Sequence, residues 1–166
     1  MDENADPSSL ARATALARAR SWTGRALVAP ARAAGQTAVA MGLLPSVVQA
    51  LAEADHGSWS GVPYAKVAEA EPDALASWLA DPHAAPHGGE SLAALAARVA
   101  AWLDAEHRSP AIVVCDVGVI RAALGHALGL SPLAANRFDL APLSTTELSS
   151  ARGGWRVAHV NRKATL

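Results

Sequence analysis

Asp116 is placed where a residue could do chemistry. It follows the apolar run AIVVC at 111–115, which predicts a strand covered on both faces, and it precedes a helical pattern at 118–128. Parallel sheets bind ligands at the carboxyl ends of their strands. A carboxylate there can act as a general acid or base, or bind a cationic or hydroxyl-rich ligand. Asp116 could instead have a structural role as the N-cap of the following helix, where Asp is favoured. The two roles do not exclude each other.

Several histidines and acidic residues are of types that bind metals. The candidates are His56, His83, His87, Glu53, Asp55, Cys115 and Asp116. The histidine spacings match no compact ligand pattern, such as H-E-x-x-H or a pair of C-x-x-C motifs. We therefore predict no metal and no cofactor, and keep a metal-binding protein as an alternative. His83 and His87 are predicted to lie in a solvated loop.

The composition disfavours several classes of function. The 166 residues are 51% apolar and 4% aromatic, and they carry a formal charge of −1 with the basic residues scattered. A chain of this length fits one domain, residues 1–166, with its own core. The balanced charge predicts no nucleic-acid or membrane partner. One cysteine, polar residues 1–6 and no stretch long enough to span a bilayer predict a cytoplasmic protein.

Helical and strand patterns alternate along the chain and must position these residues. The strongest helix pattern is 90–107, with apolar residues at helical spacing and Arg98 predicted to be exposed or to extend along the helix surface. The other predicted helices are 7–20, 31–41, a pair within 67–82 interrupted at Pro72, and 118–128; the predicted strands are 25–29, 111–115, 144–149 and 154–160. This order predicts an α/β fold with three layers, a largely parallel sheet flanked by helices.

Six segments in sequence order carry a family resemblance. They are APARAAGQTA (29–38), LAEADHGSWSG (51–61), HGGES (87–91), IVVCDVGVIRAALGHALGL (112–130), RFDLAPLSTTELSS (137–150) and GWRVAHVN (154–161). Together they resemble the histidine phosphatase superfamily, the relatives of phosphoglycerate mutase and α-ribazole phosphatase. The resemblance covers nearly the whole chain from about residue 25, and it implies a histidine-phosphatase-like α/β fold.

This sequence differs from the family pattern at the positions whose residues contact phosphate in the family. The family's R-H-G motif, which carries the phosphorylated histidine, does not occur in this sequence. Ala33 stands at the position of a second phosphate-binding Arg; Arg32 is one place earlier and on a helix would point about 100° away. Asp116 and Val117 replace the second His and the following Gly. Glu53 stands where the family keeps its proton donor.

These departures predict a changed chemistry. Phosphoryl transfer needs cations or N–H donors around the phosphoryl oxygens and a nucleophile in line with the bond that breaks. A pocket in which Glu53 faces Asp116 would repel a phosphate dianion. We therefore predict a pseudophosphatase that binds a small non-phosphorylated ligand or a protein partner. The alternative is an acid–base enzyme, an isomerase, lyase or hydrolase, that uses the two carboxylates.

Five further residues are candidate ligand contacts: Arg32, His56, Trp59, His87 and Ser91. By resemblance the segment around Trp59 forms a lid over the pocket, where its ring could stack on a ligand. Each residue also has a simpler structural explanation. Trp59 could pack a loop onto the domain, and Ser91 could start the helix that follows it.

The resemblance also predicts an unusual sheet, because this chain lacks the family's first, central strand. The strands at 25–29 and 112–115 should then meet directly, or leave a gap that a partner fills. An unpaired strand edge favours association with another chain. A homodimer through an exposed sheet edge is the expected partnership.

Overall fold

The computed structural model describes residues 3–106 and 109–163. The helices are α1 (Pro7–Ala19), α2 (Arg32–Ala40), α3 (Tyr64–Ala70), α4 (Pro72–Ala80), α5 (Leu92–Glu106), α6 (Val117–Leu128) and α7 (Pro132–Ala135). The strands are β1 (Arg25–Val28), β2 (Pro45–Val47), β3 (Ala111–Val114), β4 (Thr145–Ala151) and β5 (Gly154–Arg162). Short 3₁₀ turns at Gln49–Leu51 and Gly57–Trp59 complete the elements. Every predicted helix is present, whereas β2 and the short helix α7 were not predicted.

Local sequence signals explain where the longer helices begin and end. The Asp6 carboxylate accepts from the Ser9 N–H at the start of α1, and Pro7 occupies the first turn. Helix α6 ends at Gly129, whose φ of 65° is a left-handed conformation that glycine adopts without a steric penalty. These caps agree with the boundaries that the sequence predicts.

Strand β1 is the centre of a three-stranded parallel sheet with the order β2-β1-β3. Val28 of β1 is in register with Val47 on one side and Val114 on the other. The predicted meeting of the strands near 25–29 and 112–115 is therefore confirmed. The prediction that β3 is covered on both faces is wrong, because β3 lies at an edge of the sheet and its side chains alternate between exposed and half-buried.

Strands β4 and β5 form a separate antiparallel sheet. Both were predicted, but they do not extend the parallel sheet. Their hairpin contacts α6, and Leu148 and Trp155 pack against the main core. A second sheet thus covers part of the same hydrophobic core.

Helices lie on both faces of the central strand β1. Leu27 of β1 belongs to a buried cluster with side chains of α5 and α6, including Val99 and Val119. The neighbouring residue Val28, which points to the opposite face, is also buried, and α2 contacts all three strands. Helix α1 packs on α2 through a second cluster. Within the described residues, none of the helices combines the length and the apolar character needed to cross a membrane.

Candidate functional site

Three predicted site residues follow the three parallel strands. Arg32 begins α2 just after β1, Glu53 follows the short turn after β2, and Asp116 follows β3. Because the strands are parallel, their carboxyl ends lie at the same edge of the sheet. This is the edge at which sheets of this type bind ligands.

Asp116 caps α6. Its Oδ1 accepts a hydrogen bond of 2.7 Å from the Gly118 N–H, and its backbone is extended, as an N-cap requires. The structural role that the sequence predicts for Asp116 is therefore confirmed. The N-cap hydrogen bond uses Oδ1 of Asp116. The charge of the half-buried carboxylate also affects the pKa of Glu53 and of Cys115.

The electrostatics connect Glu53 with Asp116. Partial removal of water raises the pKa of Glu53, the negative charge of Asp116 raises it further, and the charge of His56 lowers it. Burial, followed by the Asp116 charge, raises the pKa of the neighbouring Cys115 thiol to about 12. Cys115 is therefore a protonated thiol at neutral pH rather than a nucleophile.

Arg98 holds the segment that leads into Glu53. Its guanidinium forms two hydrogen bonds to the Glu90 carboxylate, of 2.9 and 2.7 Å, and the remaining amino group donates to the carbonyls of Ala50 and Ala52. The prediction that Arg98 is exposed or extends along the helix surface is wrong, because this ion pair is largely buried. The only hint of this ion pair in the sequence is that an acidic residue, Glu90, lies just before α5 and Arg98 lies two turns into the helix.

Two loops cross beside Glu53 in close backbone contact. The Glu90 N–H donates to the Asp55 carbonyl at 2.7 Å, and the Ser58 N–H donates to the His87 carbonyl at 2.9 Å. Gly57 and Gly89 lie at the crossing, where a Cβ atom on either residue would lie about 2 Å from a backbone oxygen of the other loop. The glycines thus permit the contact that fixes the loop after Glu53.

His87 and Trp59 lie in a cluster of four rings with His56 and Trp78, with centroids 5.0–6.3 Å apart. Trp59 is buried and donates from Nε1 to Glu71. The prediction that His87 lies in a solvated loop is wrong: only 3% of its surface is exposed. Its Nδ1 accepts from the Gly89 N–H, and burial lowers its pKa. His87 Nε2 has no hydrogen-bond partner in the described residues.

The remaining candidates have local roles. The Ser91 Oγ accepts from the Ala94 N–H and stabilises the first turn of α5. Arg32 is exposed at the first residue of α2. The structure therefore brings Glu53, Asp116 and His56 into electrostatic contact, places Trp59 and His87 in a packed ring cluster, and gives Ser91 a helix cap. A ligand contact by any of them stays a prediction.

The described ranges contain no group of three or more His, Cys, Asp or Glu side chains arranged to hold a metal ion. The metal-binding alternative therefore gains no support from residues 3–106 and 109–163.

The comparisons with known proteins identify the family. The model of the histidine phosphatase superfamily, branch 1, matches residues 8–163. The chain belongs to this superfamily. It is similar to a bifunctional protein of Mycobacterium tuberculosis, with 34% identity over 122 residues. That match covers 70% of this chain and 33% of the relative, so the matched region spans about a third of the relative's length.

Solved structures of histidine-phosphatase-like proteins show the same fold. A mycobacterial glucosyl-3-phosphoglycerate phosphatase has a TM-score of 0.82 and 26% identity, with 98% of this chain and 89% of that chain covered. A phosphoserine phosphatase from Entamoeba histolytica has a TM-score of 0.85, with 98% and 86% covered. At 16% identity, this second likeness concerns the fold alone. The α/β fold and the family that the sequence predicts are thus confirmed.

The raised pKa of Glu53 predicts a specific dependence of stability on pH. A carboxyl group whose pKa is higher in the folded state than in the unfolded chain destabilises the fold when it is ionised. This destabilisation disappears as the pH falls through the folded-state pKa of Glu53 towards 4.5, the ordinary pKa of a glutamate. Glu53→Gln should therefore raise the free energy of unfolding at pH 7, and the gain should shrink towards pH 4. Urea unfolding at the two pH values measures it. A variant that is less stable than the wild type at pH 7 would contradict the prediction.

Proposed function

We propose that this histidine-phosphatase-fold protein does not carry out phosphohistidine chemistry and instead binds a small non-phosphorylated molecule at the carboxyl edge of its sheet. The observation that carries the proposal is the pKa of Glu53, which desolvation and the charge of Asp116 both raise. Two carboxylates that repel each other at this edge would also repel a phosphate dianion.

The sequence supports the same conclusion. Within the resemblance, Asp116 stands at the position of a catalytic histidine and Ala33 at that of a phosphate-binding arginine, and no Arg-His-Gly occurs in the chain. Each difference removes a donor or a cation that would stabilise the transferring phosphoryl group. Cys115, beside Asp116, is no substitute nucleophile, because its pKa is about 12.

The chemistry of the site defines the class of ligand. Carboxylates accept hydrogen bonds and attract positive charge, and Glu53, when protonated, can also donate one hydrogen bond. A molecule with ammonium groups or several hydroxyl groups matches these properties. The rings of His56 and Trp59, which follow Glu53 in the chain, pack against those of Trp78 and His87, and the charge of His56 lowers the pKa of Glu53.

A thermal-shift screen tests the proposal. The probes are polyols, polyamines and amino sugars on one side and phosphate monoesters on the other, because a ligand that binds the native state raises its Tm. Asp116→Asn removes the charge but keeps a good N-cap residue. Asp6→Asn is the matched control, since Asp6 caps α1 in the same way far along the chain from the site.

The outcomes separate the functions. A non-phosphorylated probe whose shift disappears in Asp116→Asn and persists in Asp6→Asn supports the proposal. Stabilisation by phosphate monoesters with hydrolysis would overturn it and indicate a phosphatase, as the similar solved proteins are named. A flat response to both classes would also overturn it and leave a protein partner as the ligand.

A second candidate function is acid–base catalysis on the same ligand. The raised pKa of Glu53 favours it, because a carboxyl group protonated nearer to neutral pH can exchange a proton with a substrate while Asp116 acts beside it. The stabilising ligand of the screen should then be converted to product. Turnover that survives both Glu53→Gln and Asp116→Asn would exclude this candidate.

A further inference from the structure

A pocket lies away from the candidate site, towards the other end of the parallel sheet. It has a volume of about 300 Å³ and is formed by the end of α1, the segment that follows it, and the two ends of the β4-β5 hairpin. Trp22, in that segment, lies just before the first residue of β1, so the pocket is near the amino end of the sheet. The lining residues are Leu16, Ala19, Arg20, Trp22, Thr145, Arg162 and Lys163. We call this the basic pocket.

Positive charge dominates the basic pocket. Arg20, Arg162 and Lys163 are cationic, and no acidic residue of the described chain lines the pocket. Glu147 lies beside it, with a carboxylate oxygen 3.4 Å from the Arg20 guanidinium. Within the part of the chain that the structure describes, neither Arg162 nor Lys163 forms an ion pair. Three positive charges against one negative charge leave an excess of two.

The titration of a neighbouring histidine reflects this excess. His159 Nε2 lies 3.1 Å from the hydroxyl of Thr145, which lines the pocket, and Nδ1 lies 3.7 Å from the Glu147 carboxylate. Burial lowers the pKa of His159 most, followed by the charge of Arg162. Glu147 raises this pKa by less than Arg162 lowers it, and Arg20 lowers it again. The carboxylate therefore does not neutralise the positive charge at this end of the hairpin.

One cation of the basic pocket is held in position before any ligand binds. The Arg20 guanidinium lies over the Trp22 ring, with its carbon 5.1 Å from the ring centroid. Trp22 packs in turn against the hydrophobic cluster that joins α1 to α2. A preorganised cation loses less conformational entropy on binding. The half-buried Trp22 and the exposed Ala19 also offer apolar surface beside the cations.

We propose that the basic pocket binds a small molecule that carries a phosphate monoester group and an adjoining apolar portion. The excess of two positive charges matches the charge of about −1.5 to −2 of such a group at pH 7. The guanidinium groups of Arg20 and Arg162 donate hydrogen bonds to its oxygens, and Lys163 adds a flexible ammonium group. The apolar portion lies against Trp22. This site binds the phosphate group without hydrolysing it and is separate from the carboxylates of the candidate site.

Isothermal titration calorimetry with phenyl phosphate at low salt tests the site. The wild type should bind one molecule, and Arg162→Met should weaken the binding about tenfold, the effect of losing one charge-assisted hydrogen bond. Arg156→Met is the matched control, because Arg156 is an exposed residue of the same strand that does not line the pocket. Binding should be unchanged in Arg156→Met and in Asp116→Asn.

The other outcomes distinguish this proposal from a phosphatase site. Inorganic sulfate should compete with phenyl phosphate, whereas phenol, which lacks the dianion, should not. No binding by the wild type, or equal binding by Arg162→Met, overturns the proposal. Binding that is lost in Asp116→Asn and accompanied by release of phosphate overturns it as well, because the ligand would then occupy the candidate site.

An NMR titration of His159 tests the position of the bound anion. Sulfate is the probe, because it stays dianionic over the pH range in which histidine titrates. An anion in the basic pocket offsets the charge of Arg162 and should raise the pKa of His159. Arg162→Met should raise the same pKa without sulfate. A His159 pKa that does not change at saturating sulfate overturns the proposed location.

Discussion

Gly89→Ala should lower the free energy of unfolding by about 3 kcal/mol, or the Tm by about 6–12 °C. A Cβ at Gly89 would lie 2.1 Å from the Asp55 carbonyl oxygen, which is backbone and cannot swing aside. The two loops must separate, and the hydrogen bond from the Glu90 N–H to that same oxygen breaks. Urea unfolding monitored by tryptophan fluorescence measures the loss.

The neighbouring glycine supplies the control. Gly88 has a φ of 74° and has open space where a Cβ would lie. Gly88→Ala therefore brings only the cost of a left-handed backbone, about 1–2 kcal/mol. Equal losses for the two variants would show that contact between the loops has no special effect on stability.

Arg98→Met should lower the free energy of unfolding by about 2–3 kcal/mol. Methionine keeps much of the side-chain stem, but it leaves the largely buried Glu90 carboxylate and two backbone carbonyls without their donor. Because those carbonyls precede Glu53, the variant should also weaken any ligand binding at the candidate site. Chemical unfolding gives the first effect, and titration with the ligand from the thermal-shift screen gives the second.

An exposed ion pair of the same type is the control. Arg25 bonds Glu106 at 3.0 Å, with nearly half of each side chain exposed. Exposed pairs contribute about 0–1 kcal/mol, so Arg25→Met should change stability little. If Glu90→Leu restores part of the stability lost in Arg98→Met, the uncompensated buried carboxylate is the cause. No recovery in the double variant would mean that the carbonyl contacts dominate.

Periodicity and capping were sufficient to predict every helix except the four-residue α7. In α5 the apolar residues at helical spacing are Leu92, Leu95, Val99, Trp102 and Leu103. Three of them, Leu95, Val99 and Leu103, are buried, and the other two are half-buried. Strand β2 could not be predicted in this way, because it has only three residues, begins with a proline and alternates too briefly to form a pattern. The hairpin strands were recognisable as strands, but their separation from the parallel sheet depends on tertiary packing.

The candidate site was predictable only in part. Sequence position placed Asp116 at a strand end and before a helix, and the family resemblance added Glu53. The burial of His87 was not predictable, because the loop HAAPHGGE is polar or small in composition and the burial depends on three rings outside this loop, those of His56, Trp59 and Trp78. The hydrogen bonds of Arg98 to Ala50 and Ala52 likewise join residues more than forty positions apart.

The position of β1 also affects how the chain folds. Its parallel partner β2 follows within twenty residues, whereas β3 follows about eighty residues later. The unit β1-α2-β2 can form early, but closing the long loop to β3 is entropically slow. Until α5 and α6 are synthesised, Leu27 lacks most of the side chains that cover it. During synthesis the central strand of the finished sheet is therefore a transiently exposed edge, and such edges are prone to aggregation.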